Sequence, residues 1–277
     1  MANSTDLSRP RLLTAALVRA AQRCGSEIVG DPLLGWHGRT AGVRVSDARG
    51  EPAWLRIVVA REELARGEWW NGNTDAAVLD DLRRPRILTW QEWSEGPACI
   101  RAELMELLPG TACSPTPELR DDLLLDDRWW SHLDEDLVAL AAHPTTRAST
   151  TAESIAHRSR VLFGRSIDFS RVEWGTAHGD LHWANVFTPE FALVDWEAWG
   201  SAPVGSDIAG LYLHSLLVPR VAETILERFE PVFESASGRV GLVFHASRML
   251  ARAMAGEYPG LIDPIHAAVR RFAPPQE

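Results

Sequence analysis

The densest group of chemistry-bearing residues lies past the middle of the chain, in Trp174-Gly-Thr-Ala-His178-Gly-Asp180-Leu-His182-Trp-Ala-Asn185-Val-Phe, followed by Phe191-Ala-Leu-Val-Asp195-Trp196-Glu197. Amide and carboxylate oxygens are hard donors, so Asn185 and Asp195, on two adjacent segments, form a set that suits magnesium. Asp180, a carboxylate able to accept a proton or a hydrogen bond, stands in the same loop. His178 can hold the loop by hydrogen bonds, whereas His182 is open to a structural role or to a phosphate contact. The competing reading is ordinary turn chemistry, because Asp, Asn and His between strands also satisfy local backbone groups.

These residues need elements to place them. Apolar residues flank both segments, so strand-like sequence at 174 to 196 stands within a region whose pattern is helical from about 118 onward. Before it, residues 9 to 24 space Leu12, Leu13, Ala16, Leu17 and Ala20 as one face of an amphipathic helix ended by Gly25. From 27 to 59 the period shortens to that of three antiparallel strands, EIVGDPLL, VRVSD and AWLRIVV, with the glycine-rich GWHGRTAG between the first two. A helix is expected over 73 to 84, then two further strands, RILTWQEW and ACIRAELMELL. The expectation is an α+β chain in two lobes: a five-stranded antiparallel sheet with a helix over 1–105, a linker over 106–118 at LPGTACSPTP, and a mostly helical lobe over 119–277.

Composition narrows the chemistry. The 277 residues are 45% hydrophobic and 24% charged, as in a folded globular protein. All 28 basic residues are arginine, which removes both a Schiff-base amine and the lysine of a GxxxxGK[ST] phosphate loop. A net charge of −10 repels a polyanion, so nucleic acid is not an expected partner. No apolar run reaches the length of a membrane span, Arg19 and Arg23 interrupt the N-terminal apolar stretch, and the three cysteines lack any CxxC spacing. These features point to a reducing cytoplasm, with no membrane partner, and leave the oligomeric state open. Twelve tryptophans, against two tyrosines and eight phenylalanines, serve packing first and stacking on a ligand second.

The HGDxHxxN loop with its following VDWE resembles the catalytic and metal-binding segments of the aminoglycoside phosphotransferase and choline kinase superfamily, whose fold is protein-kinase-like. The resemblance covers roughly residues 27 to 215. It implies a small-molecule kinase that moves the γ-phosphate of ATP or GTP to a hydroxyl, with Asp180 as the acceptor-orienting base and Asn185 and Asp195 holding Mg2+. Asp207 in Gly205-Ser-Asp-Ile-Ala matches a further family position, as N-cap and loop anchor.

In the first lobe the resemblance places the phosphate-covering loop at Gly35, Gly38 and Gly42, where a hairpin needing positive φ is the plain alternative. Where the family carries a lysine for the α and β phosphates, this chain carries Arg56, a fork in place of a point charge. Its expected partner is Asp75, with Glu68 the alternative. Glu106 and Leu108 correspond to the hinge whose backbone meets the purine, which leaves ATP and GTP equally open. Glu197, Trp199 and the helix bearing Asp134, Glu135 and Asp136 are expected near the acceptor. The acidic residues suit a polycationic antibiotic, and Trp129, Trp130, Trp183, Trp196 and Trp199 suit a flatter nucleoside antibiotic, although Asp121, Asp122, Asp126 and Asp127 also read as a solvated helix face. A metabolic kinase for choline, a sugar or homoserine, and a catalytically silent kinase-like binding module, are the alternatives.

Overall fold

The computed structural model describes residues 8–35 and 38–273, so Trp36 and His37 of the glycine-rich turn lie outside the described residues. They fall into two compact units: one up to Ala77 plus Arg84–Pro109, the other Val78–Arg83 plus Gly110 onward. No helix among the described residues is long and apolar enough to cross a membrane.

The first unit begins with α1 (Ser8–Arg23), whose Leu13, Ala16, Leu17 and Ala20 are buried as their spacing requires. They pack on one face of an antiparallel sheet formed by β1 (Glu27–Ile28), β2 (Leu33–Leu34), β3 (Thr40–Ser46), β4 (Pro52–Arg61), β5 (Ile87–Glu95) and β6 (Ala98–Glu106). The order is β1-β3-β4-β6-β5, with β2 also paired to β3. Alternation sorts the strands: Leu55, Ile57, Ile100, Ala102 and Leu104 face α1, where each large side chain contributes about 1.5–3 kcal/mol. Arg56, Arg101 and Glu103 therefore fall on the opposite face.

Two expectations change here. The strand read over 27–34 is two short strands, each paired with β3, so the sheet has six strands rather than five. Gly30, Asp31 and Pro32 interrupt it, and proline has no N–H to give a ladder. The helix read over 73–84 is instead α2 (Glu68–Asp75), followed by a 3-10 turn at Ala76–Val78. The apolar spacing of Ala76, Leu79 and Leu82 reflects burial of a turn. Trp70, which the helical reading left outside, packs into a small cluster with Val58 and Cys99.

The second unit is mostly helical: α3 (Asp127–Ala142), α4 (Ala152–Phe163), α5 (Ser206–His214), α6 (Pro219–Arg228), α7 (Glu230–Glu234), α8 (Ala236–Ala253) and α9 (Ile262–Phe272). Side-chain caps start three of them, from Asp126, Thr151 and Ser235 to amides of Trp129, Ser154 and Gly238. Within this helical unit two small antiparallel pairs are inset, β7 (Thr111–Ala112) with β9 (Phe187–Thr188) and β8 (Trp174–Ala177) with β10 (Gly200–Pro203). The second pair delivers the HGD loop from its end. Val78–Arg83 belongs with this unit: the Arg83 carbonyl accepts the Leu193 amide, and its own amide donates to Asp136.

Candidate active site

In the second unit, β8 runs out at Ala177 and the chain turns sharply through His178, Gly179 and Asp180. Asp207, in the first turn of α5, accepts both amides of the turn, His178 at 2.7 Å and Gly179 at 3.0 Å. The cap of that helix is Gly205 and no side chain caps it, so Asp207 anchors the loop without being the N-cap. Burial pushes its carboxyl up in spite of the attraction of His178 and the two amides. Gly179 has φ +79°, and a Cβ there would run into the Ala198 carbonyl and the Ser149 hydroxyl. His178, fully buried, reaches the Val194 carbonyl with Nε2 at 3.0 Å and packs against Trp196. One imidazole thus ties the loop to the segment that carries Asp195.

Asn185 ends a 3-10 turn, with its amide nitrogen directed at the Asp180 carbonyl, 3.0 Å, and at His182 Nε2, 3.3 Å. Those two partners turn its Oδ1 the other way. The Val194 amide donates to the Asn185 carbonyl, which brings Asp195 beside it on the chain. Asp195 itself is held at φ 66°, an uncommon conformation that aspartate tolerates better than most residues. Two hard oxygens from adjacent segments fit a divalent cation. Among the described residues no three His, Cys, Asp or Glu side chains cluster to bind a metal by themselves.

Asp180 is about one-third exposed. Its Oδ1 accepts from Arg248 of α8 at 3.0 Å, and the same guanidinium donates to the Gly179 carbonyl at 2.7 Å. Burial would raise this carboxyl, but the attraction of His182, in the acid range where that ring is protonated, and of the Arg248 guanidinium outweighs it and holds it well below the ordinary carboxylate value. Burial lowers His182 to about 4 and His214 to about 3, so at pH 7 both rings are neutral and Arg248 is the charge that acts.

The acceptor-side expectations fare unevenly. Trp199 is buried, with Arg147 over its ring at 4.6 Å and donating to its carbonyl, so the expected stacking face gives way to a packing role. Trp129, Trp130, Trp183 and Trp196 are buried as well, and the first three pack on one another. Glu197 is half-buried, and its carbonyl receives Arg147. Glu135 and Asp136 of α3 are both paired with Arg83.

In the first unit Arg56 of β4 lies directly across from Glu103 of β6 in the ladder and donates to its Oε2 at 3.1 Å. Asn73 donates to the same oxygen, and Arg101 to Oε1 at 3.2 Å. Arg101 continues to Glu92 and Thr74, with Trp90 against its guanidinium. Such a buried group holds together only while each charge keeps its partners. Glu103 is the carboxylate that sequence reasoning missed; two charges alternating with buried apolar residues on one strand were its signal. Asp75 closes α2 and is exposed, as is Glu68 at its start. Gly42 lies within β3, where Trp54 occupies the space of a side chain, so cross-strand packing explains it. Gly35 and Gly38 form the turn before it, joined by a 3.0 Å hydrogen bond. At the end of β6 the Glu106 amide is bound to the Arg86 carbonyl and its carboxylate accepts the Arg86 amide; Leu108 follows in open chain.

No protein-family model matches the chain, and no curated protein matches it. Solved structures do. A thermostable mutant of aminoglycoside phosphotransferase APH(4)-Ia, in ternary complex with AMP-PNP and hygromycin B, is 15% identical with a TM-score of 0.60, over 94% of this chain and 99% of that one. Amicoumacin kinase hAmiN, in complex with AMP-PNP, Ca2+ and Ami, is 12% identical with a TM-score of 0.53, over 94% and 91%. A putative fructosamine-3-kinase from Haemophilus somnus 129PT is 10% identical with a TM-score of 0.57, over 95% and 99%. What these alignments share with the chain is an architecture, and this protein has the protein-kinase-like fold of the small-molecule kinases.

Proposed function

We propose that the protein is a phosphotransferase that moves the γ-phosphoryl group of a nucleoside triphosphate to a hydroxyl of a small molecule. The observation that carries this reading is the loop in which Asp180, Asn185 and Asp195 are gathered by His178, Asp207 and Gly179 on a fold otherwise found in such kinases. Asp180 orients the acceptor hydroxyl and takes its proton as the new P–O bond forms and the bond to the β-phosphate oxygen breaks. Asn185 and Asp195 would hold Mg2+, which neutralises phosphate charge when bound. Arg56, set by Glu103 and with Asp75 at the end of the neighbouring helix, takes the α and β phosphates in place of a lysine. Glu106 and Leu108 offer backbone groups to the purine of ATP or GTP.

An antibiotic hydroxyl is the acceptor we favour, because two of the structural neighbours are an aminoglycoside phosphotransferase and an amicoumacin kinase. A metabolic acceptor is the second reading, supported by the fructosamine kinase neighbour at a similar TM-score. The test is nucleotide turnover with ATP and GTP against a panel of hydroxylated antibiotics, sugars and amino alcohols, with phosphorylated product identified by mass. Consumption of neither nucleotide with any acceptor, in the presence of Mg2+, would leave a binding module with this fold.

A further inference from the structure

Several of the acidic residues that suggest a polycationic acceptor are paired with arginines or spent on a helix cap. Within the second unit Asp122 is paired with Arg220, Asp127 with Arg228, Glu118 with Arg120, and Glu135 and Asp136 with Arg83, while Asp126 caps α3. Beside Asp180, on which any acceptor hydroxyl must converge, stands the opposite charge.

Arg248 is the cation in question. It projects from α8 with its side chain 30% exposed, 3.0 Å from Asp180 Oδ1. A guanidinium carries five N–H donors. Two are engaged, by the Gly179 carbonyl and by Asp180, and the plane rests near Phe244 at 5.5 Å. The other three have no hydrogen bond among the described residues, on a group fixed at two points and partly exposed. Arg252, one turn further along α8, is paired with Glu257 at 2.7 Å. An ammonium group brought next to the reacting hydroxyl would find on Arg248 no acceptor and a like charge, whereas a carboxylate would find a preset fork of donors.

Resting on the kinase reading above, we propose that Arg248 is a specificity-determining residue which receives an anionic oxygen of the acceptor next to the hydroxyl that Asp180 orients, so that the acceptor is a hydroxylated molecule bearing a carboxylate rather than a polycation. The same donors suit a nucleotide phosphate, and the experiment separates the two sources.

The full chain, saturated with AMP-PNP and Mg2+, is titrated by ligand-observed NMR with matched probes: D-glucuronate and its methyl ester, L-homoserine and its amide, and kanamycin as the polycation. The acid forms are expected to bind about tenfold tighter than their neutral partners, the worth of one charge-assisted contact. Arg248→Gln should erase that difference, and Arg248→Lys, which keeps the charge, should retain part of it and control for folding. Acid and neutral probes binding alike, absence of binding by both, or kanamycin binding most tightly would overturn the proposal. So would an Arg248→Gln variant that loses AMP-PNP affinity and keeps the acid preference, which would assign the donors to phosphate. Failure of the wild-type chain to bind or turn over any nucleoside triphosphate would instead remove the kinase reading.

Discussion

At the scale of single residues, the site divides labour between groups that would touch substrate and groups that hold them. Asp180→Ala should lower turnover by roughly 100-fold or more while nucleotide affinity stays near its parent value, as read by separate kinetic and binding titrations. Turnover close to the parent's would remove Asp180 from the proton-accepting role. Arg56→Ala should weaken triphosphate binding far more than acceptor binding, because its charge would face phosphate alone. Glu103→Gln tests the support beneath it: fluorescence titration with a labelled nucleotide should show a weaker complex, and the melting temperature should fall, since Arg56 and Arg101 both lose a buried countercharge. Equal affinity in parent and Glu103→Gln would mean that the pairing serves only stability. The Asp, Asn and His spacing made the loop legible in sequence. Glu103 and Arg248 were hidden because their partners are 47 and 68 residues away, a separation that no local pattern encodes.

Elements convert these contacts into a fixed loop. Asp207 can hold two successive amides because Gly179 occupies a left-handed turn with no room for a side chain. Gly179→Ala should therefore destabilise the fold by more than the ~1 kcal/mol of an ordinary glycine replacement, since backbone strain and overlap act together. A melting temperature unchanged by that substitution would show that the turn can relax. Sequence periodicity located α1, β3 to β6 and the helical half, where burial follows local spacing. It misplaced α2, because Trp69, Trp70 and Gly72 weaken helix propensity there and the helix depends on packing of Trp70 against β4 and β6. It also read the tryptophans of α3 as partly ligand-facing, although a stripe of aromatic residues cannot show which side is covered until the neighbouring segments are in place.

Over the molecule as a whole, burial sets the ionisation of three histidines of the second unit. His182, His214 and His245 all lie below the free imidazole value, with burial the largest cause in each. Their folded-state values are lower than the unfolded one, so the unfolded chain takes up protons first as pH falls. The contribution of these rings to stability should be level between about pH 6.5 and 8 and decline from there towards about pH 4, by up to about 1.4 kcal/mol per pH unit for each histidine. Thermal melts across that window should show the fall, and His214→Asn should flatten it; a flat profile in the parent would mean that these rings charge freely when folded.

The cross-strand placement of Arg56 and Glu103 bears on how the molecule could be controlled. A cation held by a carboxylate on a separate helix can be disarmed by swinging that helix aside, which gives many phosphoryl-transfer machines an off state. Here the two residues stand directly opposite each other on adjacent strands of one sheet, and separating their backbones would require unzipping β4 from β6. The helix α2 meets the pair through Asn73, which donates to the same Glu103 oxygen. The countercharge of this guanidinium is thus built into the sheet itself.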